Sequence, residues 1–139
     1  MSEATAKASK ILLVDDHYQA QRLFSVVLQR CGHEVVICGD IKEAVNMARK
    51  VIPDLIILDF KCDNAANGPG IREGLATLTL IQQQSELKGV RVLMMSGDGL
   101  TATGPRVLAA GAVGYLNKPF SSIELAQTVS QALNQKLPA

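Results

Sequence analysis

KILLVDDHYQA, residues 10–20, runs four apolar residues together and then sets two aspartates side by side. A single carboxylate after such a run serves as a helix cap; an adjacent pair calls for another cause. Four similar apolar runs follow: HEVVICG (33–39), DLIILDF (54–60), VRVLMMS (90–96) and AVGYLNK (112–118). Each is rich in β-branched or aliphatic residues and reads as a strand covered on both faces. The stretches between them have helical spacing: Leu23, Val26, Val27 and Arg30 with Cys31, then Ala44, Val45, Ala48 and Val51. A last helix starts at Ser121 or Ser122, with Glu124 placed to help cap its first turn, and carries Ile123, Leu125, Ala126, Val129 and Leu133. Strand and helix therefore alternate five times. That pattern predicts a doubly wound α/β domain, a five-stranded parallel sheet joined by right-handed crossovers, for which 2-1-3-4-5 is one of the two common strand orders.

In such sheets ligands bind beyond the carboxyl ends of the strands, where the strand order reverses. The first run ends in Asp15 and Asp16, the third in Asp59, the fourth in Ser96 and the fifth in Lys118. The expected order brings three carboxylates, a hydroxyl and an ammonium to one rim. Carboxylates that close repel one another, and a hard divalent cation is what lets them all stay ionised. Mg²⁺ fits, since it takes oxygen ligands, needs only one or two carboxylates and completes its shell with water or phosphate oxygen. The constellation points to phosphoryl chemistry, with a carboxylate as nucleophile and cationic groups taking up charge on the transferred oxygens.

These residues resemble those of the receiver domains of two-component response regulators. The resemblance is carried by LLVDD (12–16), LIILD (55–59), LMMSG (93–97) and AAGAVGYLNKPF (109–120), and it spans residues 9–136, between a short amino-terminal tail (1–8) and a carboxy-terminal one (137–139). It implies that Asp59 accepts a phosphoryl group from a histidine kinase or phosphotransfer protein and that Asp15 and Asp16 hold Mg²⁺, Asp16 directly and Asp15 through water. It further implies that the main-chain carbonyl of Lys61 completes the protein's share of the metal shell. Ser96 becomes the switch hydroxyl, Lys118 the cation on the phosphoryl group and Tyr115 an aromatic whose rotamer reports the state. The Lys118–Pro119 bond is expected to be cis. Output is expected through the face made by the fourth helix, the last strand and the fifth helix, with no enzymatic activity beyond self-phosphotransfer and autodephosphorylation.

Two features depart from the family's usual pattern. The segment FKCDNAANGPGIREG (60–74) reads as a long surface loop, an insertion of about seven residues if Gly74 opens the third helix. Lys61 and Asp98, two residues beyond the acceptor and the switch hydroxyl, carry opposite charges and are expected to tune how long the phosphate survives. In GDGLTATGPRVLAAG (97–111), the glycines and Pro105 place the start of the fourth helix late, near Gly104.

Composition sets the bounds. A chain of 139 residues with 47% hydrophobic and 19% charged residues fits one globular domain, and no apolar stretch approaches the roughly 18 residues of a membrane span. A formal charge of +1 without a basic run gives no footprint for nucleic acid or anionic lipid. The amino terminus lacks the apolar core of a secretion signal and the three cysteines form no CxxC pair, so a cytoplasmic, reducing location is expected, with Cys31 and Cys38 as buried small hydrophobes. His17 and His33 read as solvated surface residues, imidazole being a poor partner for Mg²⁺. The rival readings are a receiver fold that works without phosphorylation, a flavin carrier and an aspartate-nucleophile phosphatase. DDHYQA has the wrong charge for a flavin phosphate loop, and Lys61 stands where the phosphatase would want a second acid.

Overall fold

The computed structural model describes residues 9–60, 69–96, 104–118 and 120–134. Five strands, β1 (Lys10–Val14), β2 (Glu34–Cys38), β3 (Leu55–Asp59), β4 (Arg91–Ser96) and β5 (Gly114–Asn117), alternate with five helices. The helices are α1 (Tyr18–Arg30), α2 (Ala44–Val51), α3 (Pro69–Gln83), α4 (Gly104–Ala109) and α5 (Ser122–Asn134). All strand pairs are parallel, as the alternation of apolar runs predicts, and the order is β2-β1-β3-β4-β5.

Successive strand residues point to opposite faces, so each apolar run feeds two cores. Leu12, Val14, Ile56, Leu58 and Met94 pack with Ala44 and Ala48 of α2, Leu78 and Ile81 of α3 and Val107 of α4. Their neighbours Ile11, Leu13, Leu55, Ile57, Leu93 and Met95 pack with Phe24 and Leu28 of α1 and with Leu125 and Val129 of α5. This two-sided burial explains why the runs are continuous rather than alternating.

Local chemistry sets the helix ends. Ser121 and Glu124 form a reciprocal capping box: the Glu124 N–H donates to Ser121 Oγ at 3.0 Å and the Ser121 N–H to Glu124 Oε1 at 3.1 Å. The fourth helix begins at Gly104, with Pro105 in its first turn. The third differs from expectation, since it starts at Pro69 rather than near Gly74. A proline that presets the helical φ outweighs the low propensity of Gly70 and Gly74, and Gly74 serves another purpose: a Cβ there would run into the buried ring of Phe60. Helix α2 ends on Ile52, a β-branched residue in the left-handed region at φ 47° and ψ 68°.

Cys38 is buried as expected, whereas Cys31 is exposed where α1 ends. Cys31 follows the last buried turn by three residues, Leu28 being the final fully covered position of α1. Among the described residues no helix is long and apolar enough to cross a membrane.

Candidate functional site

The register of the sheet builds the site. Val14 pairs with Leu58, which sets Asp15 and Asp59 at the next step along two adjacent strands. Asp59 pairs with Met95 and Ser96 with Asn117, so the ends of β4 and β5 follow at the same rim. One ligand atom from each of Asp15, Asp16, His17 and Asp59 lies within 4.8 Å of the others.

Asp15 is the buried member, its side chain fully covered while that of Asp16 is 52% exposed. Its Oδ1 accepts the N–H of His17 at 2.8 Å, which turns the chain out of β1 and into α1. Gln21, one turn into that helix, donates from Nε2 to the Asp15 carbonyl at 2.5 Å. The other carboxylate oxygen, Oδ2, has no hydrogen-bond partner and lies 3.9 Å from Lys118 Nζ.

Lys118 reaches the rim from the end of β5. Its Nζ donates to Asp59 Oδ2 at 3.0 Å, its N–H donates to the Ser96 carbonyl at 2.8 Å, and its ammonium sits 5.9 Å from the ring centroid of Phe24. Phe24 is in turn stacked on Phe120 at 5.2 Å, so the lysine is guided by an aromatic pair between α1 and α5. Burial pushes the Asp59 carboxyl up to about 6; the Lys118 ammonium opposes that rise and the Asp15 carboxylate adds to it. A carboxylate beside a buried, half-satisfied neighbour is short of positive charge.

The structure thus gathers Asp15, Asp16, Asp59 and Lys118 as the sequence predicts. Ser96 stands at the same strand ends, fully buried, its hydroxyl without a hydrogen-bond partner. Tyr115 pairs with Met94 across the sheet and packs half-buried against the α2–α3–α4 core, and its ring tip lies over Gly104 at the start of α4. Lys61, Asp98 and Pro119, to which the sequence assigns metal-binding, tuning and cis-peptide roles, lie outside the described residues, as does Cys62.

His17 is what sequence reasoning missed. Its side chain is 64% exposed, yet Nδ1 lies 3.0 Å from Asp16 Oδ1, 3.3 Å from Asp15 Oδ1 and 4.0 Å from Asp59 Oδ2. The signal was its place directly after the acidic pair, at the N-cap of α1. His33 also departs from expectation: it is half-buried with Nδ1 unpartnered, and burial lowers its pKa.

A cleft of about 470 Å³ opens from Asp59 past Asp15 and Asp16 toward Asp40 and Lys42. Residues 11–130 match the family model for the response regulator receiver domain. The chain belongs to the response regulator receiver family. Its sequence is 28% identical over 131 residues to the phosphate regulon transcriptional regulatory protein PhoB of Klebsiella pneumoniae, covering 94% of this chain and 54% of that protein. The chain spans about half the length of the PhoB relatives it matches. It is 23% identical to the polar-differentiation response regulator DivK of Brucella anthropi, covering 88% of this chain and 94% of that one. Among solved structures, the chemotaxis response regulator CheY4 of Vibrio cholerae superposes with a TM-score of 0.75 at 30% identity, over 91% of this receiver chain and 99% of that chain. A response regulator from Chloroflexus aurantiacus gives 0.78 at 29% identity, over 93% and 100%.

Proposed function

We propose that this receiver domain is a phosphorylation-driven switch whose acceptor is Asp59. The observation that carries the reading is the meeting of a buried acid, Asp15, and a largely covered one, Asp59, with the ammonium of Lys118, 3.0 Å from Asp59. Among the described residues that is one ammonium against three carboxylates, and the hard oxygen donors left over, including Asp15 Oδ2, which accepts no hydrogen bond, suit Mg²⁺. Asp15, Asp16 and Asp59 would hold it, with the Lys61 carbonyl as a further donor. When bound, the ion supplies charge to the oxygens of the incoming phosphoryl group.

The reaction is an exchange of phosphorus between two nucleophiles. An oxygen of Asp59 attacks the phosphorus of a phosphohistidine on a sensor kinase or phosphotransfer protein. The O–P bond forms, the P–N bond breaks, and the departing imidazole takes a proton from solvent. Lys118 moves its hydrogen bond from the carboxylate to a phosphoryl oxygen, and Ser96 offers a hydroxyl that has no other partner to satisfy. With the hydroxyl drawn to the phosphoryl group, space opens near Tyr115, and the α4-β5-α5 face changes shape for a downstream protein. The domain is a signalling acceptor rather than an enzyme acting on other substrates, and it works in the cytoplasm without contacting nucleic acid itself. Lys61 and Asp98 tune the lifetime of the acyl phosphate.

Intact mass after incubation with acetyl phosphate and Mg²⁺ tests this. One added phosphoryl group is expected, absent in Asp59→Asn and in EDTA. A parent protein that stays unmodified, or an Asp59→Asn variant modified equally, overturns it.

A further inference from the structure

His17 gives the acidic cluster something the phosphorylation reading does not use, a nitrogen donor. We propose that the His17 imidazole is a direct ligand in this site and tunes it toward borderline divalent transition ions, of which Co²⁺, Ni²⁺ and Mn²⁺ are the class. The inference rests on the metal-binding part of the function proposed above and deepens it.

Geometry carries it. An octahedral ion with ligands at 2.0–2.1 Å places neighbouring donors about 3 Å apart and opposite donors about 4 Å apart. Nδ1 of His17 stands 3.0 Å from Asp16 Oδ1, 3.3 Å from Asp15 Oδ1 and 4.0 Å from Asp59 Oδ2. One ring N–H points well at a single oxygen, so a hydrogen bond accounts for at most one of these three contacts, whereas the spacing of an octahedral shell accommodates all three. A second observation is independent of that spacing. The Asp15 side chain is fully buried, and its Oδ2 accepts no hydrogen bond, its nearest cation being Lys118 Nζ at 3.9 Å, which leaves a buried acceptor open toward the cluster. His17 is also held where it stands by its main chain, whose N–H is tied to Asp15 Oδ1 at 2.8 Å. Its side chain makes no helix-capping hydrogen bond to α1, so the ring is free to face the carboxylates.

Imidazole nitrogen discriminates among ions. It adds affinity for Mn²⁺, Co²⁺ and Ni²⁺ in rising order and adds little for Mg²⁺, which prefers water and carboxylate oxygen. The all-oxygen donors would bind either class; His17 separates them.

The test is metal titration of the full chain, with parent, His17→Ala and His17→Gln followed by calorimetry for Mg²⁺ and Co²⁺, and spin-echo spectroscopy of the Mn²⁺-loaded protein. Replacing His17 is expected to weaken Co²⁺ binding by roughly tenfold or more while leaving Mg²⁺ within about twofold. The parent's spectrum should show modulation from a coordinated imidazole nitrogen that both variants lack. Equal Co²⁺ affinities and no nitrogen coupling overturn the inference; if acetyl phosphate with Mg²⁺ still modifies Asp59, the function proposed above stands. A parent that binds none of these ions and takes no phosphoryl group overturns both. Because His17 is exposed and lies outside both cores, circular dichroism of the variants should match the parent, and the nitrogen modulation of the folded parent reads the ligand whatever the variants do.

Discussion

Lys118 Nζ lies 3.0 Å from Asp59 Oδ2 and 3.9 Å from Asp15 Oδ2, so a single ammonium faces two carboxylates that solvent hardly reaches. Its absence should be felt first by Asp59. In Lys118→Met, the opposing influence on the Asp59 carboxyl is gone, and its pKa should rise above the value of about 6 that it has beside the lysine. Carboxyl carbon NMR across a pH titration in EDTA reads this directly; an unchanged or lower midpoint would contradict the geometry.

The same raised pKa makes a statement about stability. The folded state holds the Asp59 proton up to about 6, whereas the unfolded chain releases it near 3.8. Between those values the folded state binds more protons, so the contribution of Asp59 to metal-free stability is fully present below the lower value and is lost as pH rises through the window. Asp59→Asn cannot ionise and should gain on the order of 2 kcal/mol at neutral pH, with a flatter pH profile. Urea unfolding in EDTA from pH 3.5 to 7.5 checks both the sign and the slope.

The contact between Tyr115 and Gly104 leaves no room for a methyl group, since an added Cβ would overlap the phenol ring. Gly104→Ala should displace the ring and cost roughly 1–3 kcal/mol, even though alanine is the better helix former. The chain has two tyrosines and no tryptophan, so in a Tyr18→Phe background the emission of Tyr115 can be followed alone. Greater quenching of that emission by acrylamide is the expected result.

Ile52 offers the opposite case. It closes α2 at φ 47° while 47% exposed, so it bears the left-handed penalty of a β-branched side chain and buries little in return. Ile52→Asn should stabilise the domain by about 1 kcal/mol, measured as a raised urea midpoint at constant slope.

Ser121→Ala removes the acceptor of the Glu124 N–H and should cost about 1 kcal/mol. Thermal unfolding beside Ser122→Ala, whose hydroxyl is not part of the capping box, separates the cap from mere loss of a serine.

The sheet was legible because burial on both faces wrote uninterrupted apolar runs such as Leu12–Val14 and Ile56–Leu58, and because parallel pairing left few orders to choose from. Asp15, Asp16, Asp59 and Lys118 could be found for the same reason, as each follows the last apolar residue of its strand or of the segment bearing it. The start of α3 was misjudged because glycine propensity is a weak local preference, and the ring of Phe60, remote in sequence but packed against the helix, decides why Gly74 is glycine. His17 reads from the sequence as a solvated residue because the sequence shows which residues adjoin the acid pair but not where a ring nitrogen turns. The tie from its main-chain N–H to Asp15 places its backbone beside the acids.

Phe60 is clamped twice, its N–H to the Met95 carbonyl at 3.0 Å and its ring against Gly74. The residue immediately after the acceptor is therefore an anchor post, and α3 supplies a second one at the far side of residues 61–68. Changes of length or composition between two such posts need not disturb the carboxylate. Such changes are therefore expected to leave the contact between Asp59 and Lys118 in place.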